Sequence, residues 1–172
     1  VRKATQGLAN YIIKNGEAAV RKGVAIAYDS RHFSKEFSEA AAIVLCGNGI
    51  KAYVFDSLRP TPELSYAVRK LGCTAGIVVT ASHNPPEYNG YKVYWDDGCQ
   101  VQSPRDIEII DEVNAVSDYD KIMHVPKDEA LNKGLFISIG KEIDDSFTRE
   151  SLSQILNQGT INEMAESLTI VY

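Results

Sequence analysis

Apolar and polar residues alternate along this chain in two rhythms, and the switches between them mark out its elements. Val1, Ala4, Leu8, Tyr11 and Ile12 recur at helical spacing, and Asn15-Gly16 supplies a stop. "GVAIAYD" (Gly23 to Asp29) is an unbroken apolar run of strand length. Helical spacing returns in Phe33, Phe37, Ala40, Ala41, Val44 and Leu45, with Ser34 as the expected cap and Gly47 or Gly49 as the end. "KAYVFD" (Lys51 to Asp56) reads as a second strand. Thr61-Pro62-Glu63 then opens a helix whose apolar face is Leu64, Val68 and Leu71, with Gly72 as terminator.

"AGIVV" (Ala75 to Val79) predicts a third strand, and the alternating "YKVYW" (Tyr91 to Trp95) a fourth, followed by an Asp97-Gly98 turn. Ser103-Pro104 with Asp106 resembles a capping box, and Ile107, Ile110, Val113 and Val116 lie along the helix it would start. Asp118 to Gly134 is polar and reads as irregular. "LFISI" (Leu135 to Ile139) looks extended, a helix is expected through Phe147, Leu152, Ile155 and Leu156, and "LTIVY" (Leu168 to Tyr172) reads as a last strand.

Strands alternating with helices predict a three-layer α/β/α domain with a mixed, mostly parallel sheet. The apolar strand at Leu168 to Tyr172 would need a partner sheet. The expected division is therefore a first domain over 1–138, and a linker helix with the first strand of a second domain over 139–172. No capping residue or methionine precedes the first helix, so an upstream segment is expected to be missing.

Composition narrows the partners. The 172 residues carry a formal net charge of -5 and no basic cluster, which sets aside nucleic acid and anionic lipid. No apolar run approaches the ~20 residues that span a bilayer, and "VRKATQGLAN" lacks a signal-peptide core. Cys46, Cys73 and Cys99 lack CxxC spacing, so they read as buried thiols in a reducing cytoplasm rather than a disulfide framework or zinc site.

The chemistry concentrates in "TASHNPPEYNGYKVYW" (Thr80 to Trp95), just past the end of the third strand. Open α/β sheets bind ligands at such strand ends. A serine hydroxyl needs a base or metal to become nucleophilic. Lys92 can fold back over Ser82 from the next strand, while His83, its neighbour, is better cast as an orienter or secondary proton carrier. Arg31, past the end of the first strand in "YDSRHFS", offers a planar fork for phosphate oxygens. Pro85-Pro86 and Asn89-Gly90 stiffen the loop. The set suggests phosphoryl more than acyl chemistry, since G-x-S-x-G, the P-loop and GxGxxG are all absent. Taken singly, each residue also has a plain reading: Ser82 as a loop serine, His83 as a structural histidine, Lys92 as a solvated strand lysine, Arg31 as a surface ion-pair partner, and Asn84 and Asn89 as turn formers.

"TASHNPPEYNGYKVY" and "AYDSRHFS" together resemble the phosphoserine loop and the D-x-R-x-x-S element of the α-D-phosphohexomutases, the phosphoglucomutase and phosphomannomutase family. The resemblance is strong from Lys22 to Val101. It implies that Ser82 carries a phosphoryl group, exchanged with a sugar monophosphate through a bisphosphate intermediate that also serves as activator. Glucose 1-phosphate and glucose 6-phosphate would interconvert in this way. Lys92 would match the general acid/base, His83 the histidine assisting at the phosphoserine, and Arg31 the arginine contacting the transferring group.

The resemblance also implies Mg²⁺ bound through Ser82 and an Asp-Gly-Asp-x-Asp loop. "WDDGCQ" does not match that loop, so the remaining metal ligands are expected outside this chain, on the other domains of the parent enzyme. The chain alone is expected to be inactive. Two other readings are a non-catalytic phosphosugar-binding α/β module and a metabolite phosphatase with a serine nucleophile.

Overall fold

The computed structural model describes residues 1–171, and Tyr172 lies outside the described residues. Five strands form one sheet: β1 (Val24–Tyr28), β2 (Ala52–Phe55), β3 (Ala75–Val79), β4 (Tyr91–Trp95) and β5 (Phe136–Ile139), in the order β4-β3-β1-β2-β5. β1 pairs in parallel with β2 and β3, β5 pairs in parallel with β2, and β4 runs antiparallel to β3 at the edge.

Every residue of β1 and β3 is buried, which is why both read as unbroken apolar runs. Their side chains alternate between two helical layers. Val24, Ile26 and Tyr28 join a core with Leu8 and Ile12 of α1 (Arg2–Lys14), Ala41 and Leu45 of α3 (Ser34–Gly47), and Ile109 of α5 (Arg105–Ala115). The opposite face pairs Ala25 with Gly76 and Ala27 with Val78 beneath α4 (Thr61–Leu71). These small residues let α4 approach closely, since a Cβ on Gly76 would lie 2.5 Å from Val68 Cγ2. The result is the expected α/β/α sandwich with a mixed, mostly parallel sheet.

Several local expectations differ from the structure. α6 (Lys127–Asn132) and a 3-10 turn at Tyr119–Lys121 occupy the stretch read as irregular, and α2 (Glu17–Lys22) lies in residues to which the sequence reading gave no element. Helices of six residues are too short to show a repeat, and α6 is betrayed only by Pro126 before it and Asp128 and Glu129 in its first turn. α5 buries Ile109 and leaves Ile107 and Ile110 exposed, so the expected stripe holds only in its second half, where Val113 packs on the core and Val116 is buried. Ser34, Thr61 and Ser103 do not cap: the N-caps are Phe33, Pro60 and Pro104. Cys99 is exposed, whereas Cys46 and Cys73 are buried as expected.

The chain divides into two compact units, the first covering Val1–Gly140. The second begins at Lys141 and contains α7 (Lys141–Ser153) and α8 (Gln158–Met164). Leu168 to Val171 form no strand, contrary to the sequence reading: a strand exists only through a hydrogen-bonded neighbour, and none pairs with them among the described residues.

Candidate active site

The strand order reverses direction at β1. Its outgoing connection, through α3, leads to β2 on one side, and β2 returns through α4 to β3 on the other. The carboxyl ends of β1 and β3 therefore flank a topological switch point, where open α/β sheets bind ligands. Two loops meet there, one after β1 (residues 29–33) and one after β3 (residues 80–90). An open cleft of ≈ 400 Å³ lies between them, lined by Asp29, Arg31, Thr80 and Ser82 and, from the β2 loop, by Arg59.

The antiparallel turn-back explains how residues ten apart meet. Lys92 pairs with Val78 across the β3–β4 ladder, so its stem starts beside the end of β3. Its Nζ donates to Ser82 Oγ at 2.6 Å. Ser82 is exposed and adopts φ 57°. That left-handed conformation costs a non-glycine residue about 1–3 kcal/mol, so the surrounding contacts must impose it. The Ser82 N–H donates to Thr80 Oγ1 at 3.0 Å. Thr80 N–H in turn donates to the Gly90 carbonyl at 3.1 Å, closing the base of the loop. Any side chain at Gly90 would collide there, with a Cβ 2.5 Å from the Thr80 carbonyl oxygen.

Arg31 reaches the loop by its backbone, not by the serine hydroxyl. Nη2 donates to the Ser82 carbonyl at 2.6 Å, and Nη1 to the carbonyls of Pro85 at 2.6 Å and Tyr88 at 3.3 Å. Nε donates to Asp29 Oδ2 at 3.0 Å. Four of the five guanidinium N–H groups are thus engaged in holding loops, and the side chain is only 10% exposed. His83 is exposed, and no residue among those described hydrogen-bonds its ring.

Asp29 has a larger part than the sequence reading gave it. Its Oδ1 accepts from the Arg31 N–H at 3.0 Å and from Ser34 Oγ at 2.7 Å. Burial works against its charged form, but hydrogen bonds from Thr80, Ser34 and the Arg31 backbone, with the guanidinium charge, outweigh burial and hold the carboxyl below the ordinary range. Asn89, read as a turn former, does bond the next N–H, with Oδ1 accepting from Gly90 at 2.9 Å. Its Nδ2 also crosses to the other loop, donating to Ser34 Oγ at 2.9 Å and the His32 carbonyl at 3.2 Å. The one local signal for Asp29 was a carboxylate two residues before Arg31, the spacing of an Asx turn. Nothing local announces the Asn89–Ser34 contact, which joins residues 55 apart.

The chain's own donors do not make a magnesium site. Mg²⁺ demands near-octahedral oxygen coordination, and among the described residues no group of three or more His, Cys, Asp or Glu side chains could hold a metal. Ser82 offers one oxygen, and both Asp29 oxygens already serve the loops.

Comparison with known proteins agrees with this architecture. Residues 1–120 match the family described as phosphoglucomutase/phosphomannomutase, alpha/beta/alpha domain I. The chain is 46% identical over 106 residues to the "Probable phosphoribomutase" of Schizosaccharomyces pombe, covering 62% of this chain and 18% of that protein. It is 37% identical over 155 residues to the phosphoglucomutase of Staphylococcus saprophyticus, covering 90% of this chain and 28% of the relative. The chain thus spans under a third of either relative's length. A crystal structure of a phosphoglucomutase/phosphomannomutase family protein from Burkholderia thailandensis superposes with a TM-score of 0.64 at 20% identity, over 90% of this chain and 31% of that one, and so shares the fold. With the sheet order, the switch-point cleft and a match over residues 1–120 in agreement, this chain belongs to the phosphoglucomutase/phosphomannomutase family and carries its domain I.

Proposed function

We propose that the protein carrying this chain is a phosphohexomutase that interconverts a sugar 1-phosphate and a sugar 6-phosphate, with glucose as the sugar, and that Ser82 is its phosphoryl carrier. The observation that supports this most is the 2.6 Å bond from Lys92 Nζ to Ser82 Oγ, on a serine held at φ 57° in the switch-point cleft.

In the forward half-reaction the phosphoryl group leaves Ser82 for a hydroxyl of the bound sugar monophosphate. An O–P bond forms at the sugar oxygen and the Oγ–P bond breaks, leaving its electron pair on Ser82 Oγ. Lys92 supplies the proton that this oxygen takes up. In the return half-reaction Lys92 accepts the Ser82 proton as the serine attacks the other phosphoryl group of the bisphosphate. His83, exposed at the rim, serves as a secondary proton carrier for the sugar hydroxyl. The fifth N–H of Arg31 remains for an oxygen of the transferring group.

Mg²⁺ bound through the phosphoserine would spread charge over the transferring group. The residues here supply only one of its ligands, so the others must come from elsewhere in the protein. Residues from 139 onward are the linker and start of a second domain in this reading, and the 172-residue chain alone shows little or no turnover. No helix among the described residues is long and apolar enough to cross a membrane. The unpaired thiols of Cys46 and Cys73 fit a reducing compartment, and we place the protein in the cytoplasm.

The test is Ser82→Ala in the full-length protein. Mutase turnover should fall to background. Turnover within a factor of ten of the unmutated protein would overturn the reading. A non-catalytic sugar-phosphate module would show no turnover in either form, and a phosphatase would release inorganic phosphate in step with substrate loss.

A further inference from the structure

Ser82 must be held in a conformation its own backbone disfavours, in a loop whose residues from Ser82 to Tyr88 are all exposed. No core packs that stretch into place. What the structure offers instead is a chain of hydrogen bonds that crosses the switch point. It starts at Asn89 Nδ2, which donates to Ser34 Oγ at 2.9 Å and to the His32 carbonyl at 3.2 Å. Ser34 Oγ in turn donates to Asp29 Oδ1 at 2.7 Å. Asp29 Oδ2 accepts from Arg31 Nε at 3.0 Å, Arg31 Nη2 donates to the Ser82 carbonyl at 2.6 Å, and Thr80 Oγ1 accepts from the N–H of Ser82 at 3.0 Å. The other end closes as well: Asn89 Oδ1 accepts from Gly90, whose carbonyl accepts from Thr80 N–H. Ser34 is 1% exposed and Thr80 7%, so the middle of the chain is shielded from competing water.

We propose that Asn89, with Ser34 and Asp29, is a positioning device that latches the loop after β3 onto the loop after β1 and thereby sets Ser82 Oγ against Lys92. The inference rests on the phosphoryl-transfer reading above, and it adds residues that touch neither substrate nor the reacting atoms. Each link has one job. Asp29 gathers Ser34 and Arg31 from its own loop, and Arg31 reaches the carbonyls of Ser82 and Pro85 on the other. Ser34 relays between Asn89 and Asp29, accepting from Asn89 Nδ2 and donating to Asp29 Oδ1. Asn89 reads both loops at once, because its carbonyl oxygen serves its own turn while its amide nitrogen serves the opposite loop. An aspartate at that position would keep the turn acceptor and lose both donors, and its charge would face the His32 carbonyl.

A latch of this kind affects the rate of transfer and not the grip on the sugar phosphate, since misplacing a reacting group by about 1 Å costs on the order of 100-fold. The experiment uses the full-length protein with Asn89→Asp, Ser34→Ala and the double variant. It measures kcat and KM for glucose 1-phosphate, with glucose 1,6-bisphosphate as activator, and thermal midpoint as the folding control. Asn89→Asp should lower kcat about 10-fold to 100-fold with KM changed less than about 2-fold. Adding Ser34→Ala to it should cost little more, because both variants cut the same chain.

A normal kcat in Asn89→Asp would overturn the latch. So would a raised KM at normal kcat, which would mean substrate contact, or losses that simply multiply in the double variant. If Asn89→Asp unfolds the protein, Ser34→Ala alone carries the same prediction and the same refutation. Ser82→Ala separates the two levels: a dead Ser82→Ala with a normal Asn89→Asp sinks only the latch, whereas an active Ser82→Ala sinks the reading beneath it.

Discussion

Strand β3 and the loop that follows it are adjacent in sequence and are held in place by opposite means. All five residues of β3 are buried and bonded on both sides, to β1 and to β4. From Ser82 to Tyr88 every residue is exposed, and position comes from directed bonds by Arg31, Thr80 and Asn89. Burial is strong but does not specify direction. Hydrogen bonds contribute little net free energy each, yet they fix geometry. The strand therefore supplies stability and a platform, and the loop spends that stability on holding one serine in an unfavourable conformation. Damage to the two regions should appear in different observables.

The largest separation is expected at Lys92. Lys92→Ala removes the only side-chain donor to Ser82 Oγ among the described residues. Steady-state assays of the full-length protein should show kcat lower by about 10²–10⁴-fold, at an unchanged thermal midpoint. A midpoint that drops while kcat per folded molecule holds would assign Lys92 to the platform instead.

Leu45 makes the opposite case. It is fully buried in the core between α3 and the sheet. Denaturant titration of Leu45→Ala should show a loss of about 2–5 kcal/mol, with kcat of the remaining folded molecules within about 3-fold of normal, because the site is built from loops and not from this core.

Asp29 sharpens the comparison through pH. Its folded-state carboxyl titrates below the ordinary range, so the unfolded chain binds the proton first as pH falls. Asp29 thus contributes stability that is present above the ordinary carboxylate range and is lost as pH falls toward and through its lowered folded value. Asp29→Asn should be less stable than the unmutated protein at neutral pH, with the gap narrowing in acid. A gap that stays constant or widens in acid would contradict the sign.

The smallest effect concerns the thiols. Burial pushes Cys46 up to about 11 and Cys73 up to about 12, while Cys99 is exposed. A thiol reagent on the native protein should label Cys99 alone, seen by peptide mass mapping, with activity unchanged; labelling of Cys73 before unfolding would refute the burial.

The elements that read most clearly in the sequence are those with simple repeats. β3 and β4 run Ala75–Val79 and Tyr91–Trp95 as their apolar patterns suggest, although β4 does not alternate in burial: Val93, Tyr94 and Trp95 are all buried and Tyr91 and Lys92 are partly so. α6 was hidden because six residues are under two turns. Ser34 looked like a helix cap because caps and loop anchors use the same hydroxyl, and only the fold shows that it serves Asp29. In the site, Ser82 and Lys92 were legible because a hairpin joins them. Asn89 was not, because its partners, the His32 carbonyl and Ser34 Oγ, lie more than 50 residues away, and no local pattern encodes a contact of that range.

The most direct measurement is the location of phosphate after the full-length protein is incubated with a hexose 1,6-bisphosphate. Tandem mass spectrometry of its peptides should find one phosphoryl group, on Ser82, and none in Ser82→Ala. A phosphoryl group on another residue, with Ser82 unmodified during turnover, would contradict the account at its centre.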